Sequence, residues 1–299
     1  MLRFIVLLIA ASFSAGCTLH PAASPAPMSP VEAAGSPSES TFVSAWSGAF
    51  AAEGGRGVFV LLDPATGRTR TSDAERAARR FLPASTFKLY NALVALDAGV
   101  VTDVDSVWAW DGVERSIPAW NRDHTLRSGM VASTVWLYQR LATRVGRDRY
   151  AAAFAREPYG NSVMGDSLRW FWLDNSLQIS ANEEVRFVDR LRTGATGFSD
   201  DAERAVRGIV PVLAERAGAH GPVRLVAKTG WGGDAEMGIP DLGWIVGWVE
   251  RDAADGGPIV FALNVEADPA SAVPFDMGPA RLRIVEAILT AEDILPRAD

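Results

Sequence analysis

Ser85 and Lys88 stand three residues apart at the start of a long apolar run. On a helix that spacing places both side chains on one face. A serine hydroxyl is a weak nucleophile until a base takes its proton. An ammonium cannot be that base, but burial beside apolar groups such as Phe87 disfavours the charged form and lowers a lysine pKa. The pair reads as a nucleophile with an adjacent lysine-derived base. It equally fits a plainer arrangement, a capping serine beside a lysine whose stem lies along apolar surface. Composition adds weight to the first reading. Of the 29 Lys+Arg residues only two, Lys88 and Lys228, are lysine. Arginine supplies the remaining positive charge but does not release its proton, so the two lysines stand out as candidates for chemistry.

The second lysine opens Lys228-Thr229-Gly230 at the end of a β-rich run. Lys228 and Thr229 offer a cation and a hydroxyl to an anionic substrate. Gly230 reads as a bare strand edge that a ligand can approach. Ser-x-x-Lys and Lys-Thr-Gly occur together in penicillin-recognising enzymes.

These residues need a scaffold. Gly57 to Leu62 is an apolar run of strand length, closed by the turn signal Asp63-Pro64-Ala65-Thr66-Gly67. Ala74 to Arg80 reads as a short helix or connector. From Ser85 to Ala98 the pattern is helical and apolar on nearly every face, which predicts a buried, central helix ending at Gly99. Residues 100–204 read as mostly helical, including Val131 to Val145 and Asn182 to Leu191. Val223 to Lys228, Gly243 to Glu250 and Pro258 to Glu266 read as strands. Arg281 to Leu289 reads as an amphipathic helix, with Leu282, Val285, Ile288 and Leu289 on one face.

The N-terminus reads as an export signal. Arg3 precedes an apolar run from Phe4 to Ser14, too short to span a bilayer, and Ala15-Gly16-Cys17 follow. The only cysteine sits where a bacterial lipoprotein signal places its lipidated residue, although Ser14 departs from the usual aliphatic residue. Cys17 is therefore expected to attach the protein to a membrane by lipid; the plainer reading is ordinary signal cleavage. Residues 18–40, rich in Pro, Ala and Ser, read as a tether. Ordered structure is expected over 41–299, with a sheet subdomain at about 41–80 and 205–299 and a helical insert at about 81–204. The expected location is the periplasm, anchored to the outer membrane if Cys17 is lipidated.

A single cysteine excludes an internal disulfide and a Cys-based zinc cluster. His20, His124 and His220 are scattered, so no metal is expected, and both His124 and His220 read as surface or structural residues. A net charge of −7 argues against a nucleic-acid partner. No G-x-S-x-G elbow and no S-D-N tripeptide is found. Nothing in the sequence specifies an oligomeric state.

Four motifs in order resemble those of the class D serine β-lactamases, the oxacillinase type: Ser85-Thr86-Phe87-Lys88 within Phe81-Leu82-Pro83-Ala84-Ser85, Ser133-Thr134-Val135, Tyr159-Gly160-Asn161 and Lys228-Thr229-Gly230. Phe171-Trp172-Leu173 and the stretch Trp120, Asp123, Thr125 and Leu126 add to the likeness, which runs from about residue 56 to the C-terminus. Leu89-Tyr90-Asn91 departs from the Ile-Pro-Asn of many members. The resemblance implies a mixed α/β (α+β) fold of the serine β-lactamase and penicillin-binding transpeptidase type, with a central antiparallel sheet flanked by helices and an all-helical subdomain.

It also implies roles. Ser85 would be the acylated nucleophile. Lys88 would be N-carboxylated by carbon dioxide and act as general base; bicarbonate would be needed for this and no other cofactor. Trp172 would donate its indole N–H to the carbamate, and Val135 would keep the pocket dry. Ser133 would relay a proton to the leaving nitrogen. Lys228, Thr229, Gly230, Trp231, Trp120 and Arg281 would bind a small-molecule β-lactam, Arg281 through its carboxylate. The backbone N–H groups of Ser85 and Trp231 would form the oxyanion hole. Each residue has a plainer alternative. Trp172 reads as core, Tyr159-Gly160-Asn161 as a turn, and Ser133 as a helix hydroxyl bonding its own backbone. A D,D-peptidase, or a β-lactam sensor acylated without rapid turnover, shares the first and last motifs.

Overall fold

The computed structural model describes residues 41–298. Seven strands form one sheet: β1 (Thr41–Phe42), β2 (Gly55–Asp63), β3 (Arg68–Thr71), β6 (Val212–Ala217), β7 (Pro222–Asp234), β8 (Ile239–Glu250) and β9 (Ile259–Ala267). Two short strands between them in sequence, β4 (Arg80–Phe81) and β5 (Ile179–Ser180), pair separately. The sheet order is β1-β3-β2-β9-β8-β7-β6. Every pairing in it is antiparallel except β1 on β3. The expected antiparallel sheet therefore carries one short parallel pair at its edge.

Sequence chemistry explains the first hairpin. Asp63 accepts from the Ala65 N–H at 2.9 Å and from the Thr66 hydroxyl at 2.8 Å, and Gly67 takes φ +68°. A residue in that left-handed region favours glycine. The chain returns as β3, as the turn signal predicts.

The helices are α1 (Ser47–Ala52), α2 (Ala74–Ala78), α3 (Lys88–Asp97), α4 (Leu126–Val131), α5 (Val135–Val145), α6 (Arg147–Arg156), α7 (Ala181–Thr193), α8 (Asp200–Arg207) and α9 (Met277–Ala291). Because side chains alternate along a strand, the sheet feeds two cores. Val58, Val60, Trp244, Val246, Trp248, Val260 and Ala262 face the cluster that contains α3, α5 and α7. Phe59, Leu61, Ile245, Phe261 and Leu263 face the other, closed by α1 and by Ile284, Val285, Ile288 and Leu289 of α9.

Helix α3 is central, as its apolar periphery predicts: Lys88 to Ala95 are all buried. Its approach differs from the expected single helix, because Ala84–Phe87 form a 3₁₀ turn and Lys88 begins the α-helix. The run Val131 to Val145 is likewise broken. Ser133 adopts φ +55°, a left-handed conformation that no helix interior accepts, and α5 begins anew at Val135. Residues 100–204 are also less helical than expected. Turns and loops dominate 98–125, pinned by reciprocal backbone bonds between Trp108 and His124 at 2.7 and 3.1 Å. Strand β6 has no counterpart in the sequence-based expectation.

Candidate active site

The 3₁₀ turn at the head of α3 meets β7 and the break between α4 and α5, and each contributes one of the expected side chains. Lys88 is fully buried and its Nζ donates to Ser85 Oγ at 2.6 Å. Burial, and secondarily the charge of Lys228, holds the Lys88 pKa well below the ordinary lysine value. No carboxylate pairs with Lys88 among the described residues. Its Nζ lies 5.4 Å from the ring centre of Tyr138, itself fully buried. An amine so placed tends to the neutral form, which is the form that can act as a base or attack an electrophile. This removes the plain reading of a snorkelling lysine, whose head would sit in water.

Lys228 is buried too. It donates to Ser133 Oγ at 3.0 Å and to the Thr229 carbonyl at 2.8 Å. Burial, then the nearby charge of Arg281, brings its pKa down to about 7. Ser133 thus touches a nitrogen that can hold or release a proton near neutrality. The left-handed backbone at Ser133 costs roughly 1 kcal/mol or more, and it aims a hydroxyl that a continuous helix would turn elsewhere. Ala84, just before the nucleophile, is also left-handed at φ +49°.

Ser85, Ser133, Val135, Trp120, Thr229, Trp231 and Arg281 all line one cleft of about 400 Å³, with Ile117, Leu173 and Asp241. Lys88, Trp172, Lys228 and Gly230 stand behind that wall. Trp231 is half exposed and its Nε1 donates to Asp241 at 2.6 Å. Trp120 donates its indole N–H to the Ala132 carbonyl at 2.8 Å. Arg281 donates through Nη1 to the Gly230 carbonyl, and its Nε is buried with no partner among the described residues. Its neighbour Arg283 faces away and pairs with Glu53.

Gly230 has a different reason to be glycine from the one expected. A Cβ there would meet Pro83 O at 3.1 Å, Thr86 Cγ2 at 3.2 Å and Trp244 Cβ at 3.2 Å. The missing side chain therefore lets β7 close on the 3₁₀ turn that carries Ser85.

Trp172 is fully buried. Its ring stacks on Phe87 with centroids 5.4 Å apart, and its carbonyl accepts from the Ala84 N–H at 3.2 Å. Its indole Nε1 has no partner among the described residues. A tryptophan that is only core normally satisfies that donor. The loop carrying it is set by Tyr159-Gly160-Asn161. Asn161 accepts from the Gln178 N–H at 3.0 Å and donates to the Ser176 carbonyl at 2.8 Å. Gly160 is left-handed at φ +55°, and a Cβ there would fall 1.9 Å from Gln178 O. These three residues position the loop and do not line the cleft.

The histidines stay structural. His124 is buried between Ser128 Oγ and Ala119 O, and His220 pairs with Asp255. Cys17 and His20 lie outside the described residues.

The sequence reading passed over Ile117, Asp241 and Glu184, and it quoted Leu173 only as part of a motif. Glu184 left a trace: it shares a helical face with Ala181, Val185, Val188 and Leu191, all buried. A glutamate on an apolar stripe calls for an explanation.

Comparison with known proteins gives the same picture. Residues 57–290 match the family model of the penicillin binding protein transpeptidase domain. β-Lactamase OXA-48 of Klebsiella pneumoniae is 36% identical over 251 residues, covering 84% of this chain and 89% of that protein. β-Lactamase OXA-10 of Pseudomonas aeruginosa is 34% identical over 263 residues, covering 88% and 92%. Among solved structures, the class D β-lactamase YbXI from Nostoc has a TM-score of 0.74 and 30% identity over 84% of this chain and 99% of that one. FUS-1 (OXA-85), a class D β-lactamase from Fusobacterium nucleatum subsp. polymorphum, has a TM-score of 0.75 and 28% identity over 85% and 100%.

Proposed function

The chain belongs to the class D serine β-lactamases, and from that membership we propose that it hydrolyses β-lactams through an acyl-enzyme on Ser85, with Lys88 carboxylated on Nζ. The observation that carries the carboxylation is a pairing of two unusual groups around one turn. Lys88 is buried and biased to the neutral amine, the only form that reacts with carbon dioxide. Trp172, packed against Phe87 and Ala84 of the same turn, holds a buried indole N–H with no acceptor among the described residues. A carbamate oxygen would give that donor an acceptor. Carboxylated, Lys88 supplies a general base at Ser85 Oγ for acylation and again for the water of deacylation.

The remaining steps belong to the chain's own groups. Ser85 Oγ attacks the lactam carbonyl. The carbonyl oxygen develops charge, and we assign its donors to the backbone N–H groups of Ser85 and Trp231. The carbon–nitrogen bond breaks, and Ser133 passes its proton to the leaving nitrogen. Lys228, hydrogen bonded to Ser133 Oγ with a pKa near 7, can restore that proton. Arg281 and Thr229 on the cleft wall suit the substrate carboxylate.

Steady-state turnover of a chromogenic cephalosporin, in carbon dioxide-depleted and in bicarbonate-supplemented buffer, tests this. Trp172→Phe keeps the ring and removes only the N–H. Its activity should fall by about tenfold or more in depleted buffer and recover with bicarbonate. A Trp172→Phe enzyme indifferent to bicarbonate removes Trp172 from the site. Wild-type protein that shows a stable penicillin adduct by intact mass, and no turnover, is instead a D,D-peptidase or a sensor.

For residues outside the described part of the chain, we propose that Cys17 carries a lipid and anchors the enzyme on the periplasmic side of the outer membrane. The Ala15-Gly16-Cys17 sequence and the Pro-rich stretch after it support this. Labelled palmitate should enter the wild-type protein and not Cys17→Ser; equal labelling of both refutes it.

A further inference from the structure

Directly behind the nucleophile turn lies a carboxyl group that none of the steps above uses. Glu184 of α7 is fully buried. Its Oε1 lies 2.6 Å from Thr86 Oγ1 and 2.8 Å from the Tyr159 hydroxyl, while Oε2 is buried with no partner among the described residues. Thr86 is the residue after Ser85, and its Oγ1 is also 2.8 Å from the Pro83 carbonyl.

Proton counting decides the state of this cluster. Pro83 O can only accept, and it also takes the Thr86 N–H at 3.2 Å, while the Thr86 hydroxyl has one proton for two oxygens, Pro83 O and Glu184 Oε1. Tyr159 donates its proton to Glu184. For all three short contacts to hold a proton, one more is needed beyond those of Thr86 and Tyr159, and only Glu184 can supply it. With a neutral Glu184 the chain runs Tyr159 to Glu184 to Thr86 to Pro83, and every link holds one proton. With an ionised Glu184 one link has none, and a charge is buried without a cation.

The surrounding charges agree. Among the described residues no Lys or Arg pairs with Glu184. On the elements packed around α7, Arg76 of α2 binds Asn264 and Glu266 of β9, and Arg80 of β4 binds Glu183. Glu203 of α8 accepts from Thr196 and faces Arg207. The titratable groups acting on Glu184 are Tyr159 and its neighbour Glu183, and neither brings positive charge.

We propose that Glu184 is a positioning residue, kept as the neutral acid, whose proton bridges to Thr86 and fixes the Pro83–Phe87 turn that aims Ser85. Burial, opposed by the bonds from Thr86 and Tyr159 and aided by Glu183, pushes its pKa up to about 7. The folded protein therefore holds this proton above the pH at which the unfolded chain, with an ordinary value of 4.5, gives it up. Stability contributed by the proton is complete below the unfolded value. It declines as pH rises toward the folded value and is gone above it. Alignment of Ser85 should weaken over the upper part of the same range.

Glu184→Gln keeps an N–H for Thr86 and cannot ionise. Thermal unfolding of the full chain between about pH 5 and pH 8 should show wild type losing Tm relative to Glu184→Gln as pH rises. An infrared carboxylic-acid band seen in wild type at about pH 6 should be missing from Glu184→Gln. The rate of Ser85 acylation by penicillin, read by intact mass, should fall about threefold or more in wild type between about pH 6.5 and pH 8.5 relative to Glu184→Gln. Glu184→Ala should acylate about tenfold more slowly at every pH. Parallel Tm curves with no acid band overturn the neutral state, and acylation ratios that do not change with pH overturn the positioning role. Only the kinetic arm rests on the hydrolase reading. A protein whose Ser85 is never acylated refutes that reading, while the unfolding and infrared arms still decide the state of Glu184.

Discussion

At the scale of single residues, the proposed mechanism depends on where protons sit. Lys88 and Lys228 are both buried, but their partners differ. Lys88 touches Ser85 and has no carboxylate partner among the described residues, so burial, and secondarily the charge of Lys228, sets its state. Lys228 touches Ser133 and is set near neutrality by burial and Arg281. The sequence-based role for Lys228 was a cation for the substrate, and the proposed mechanism adds that of a proton store behind Ser133. Lys228→Arg separates the two. Arginine keeps the charge and cannot release a proton, so kcat/KM should fall by about a hundredfold if the proton matters. Retention within about threefold, in protein of unchanged Tm, would leave Lys228 only as a cation. Both lysines stand out in the composition because Arg fills every other basic position.

At the scale of elements, breaks position the chemistry more than helices do. The 3₁₀ turn before α3, the left-handed Ser133 between α4 and α5, and the loop from Tyr159 to Ile179 each carry or hold one site group. Gly160 is the tightest point of that loop. Gly160→Ala would force a Cβ into the Gln178 carbonyl, 1.9 Å away, at a left-handed φ. We expect a stability loss of about 2 kcal/mol or more, read by denaturant titration, and a bicarbonate-dependent loss of activity because the Trp172 loop moves. Unchanged stability would mean that the loop relaxes at no cost. Motif residues were legible in the sequence because their types are constrained by chemistry. The breaks were not, because periodicity reports which faces are buried and is blind to one residue leaving the helical region.

At the scale of the whole molecule, one sheet joins two cores. Phe59 lies on the face away from the nucleophile, against Trp46 at 5.3 Å and stacked on Phe261 at 5.7 Å. Strand β2 sends Val58 and Val60 into the other core, so damage on one face should be felt on both. Phe59→Ala should cost about 3–5 kcal/mol and lower Tm, while calorimetry still shows a single transition for residues 41–298. Two resolved transitions would mean that the cores melt independently. Catalysis at a temperature where the variant is folded should be unchanged, because Phe59 does not line the cleft.

The amino-acid sequence was enough for the family, the motif positions of Ser85 and the two lysines, the strands that flank them and the buried character of α3. Those follow from residue type and from periodicity, which act over a few neighbouring positions. Tertiary structure alone decided that Lys228 meets Ser133 across 95 residues, and that Gly230 is bare for the sake of Pro83 and Thr86. It alone decided that the Trp172 indole N–H has no partner among the described residues and that Glu184 meets Thr86 across 98 residues. Desolvation and hydrogen-bond partnership are properties of the space around a group. That space is assembled from distant segments only when the chain closes on itself.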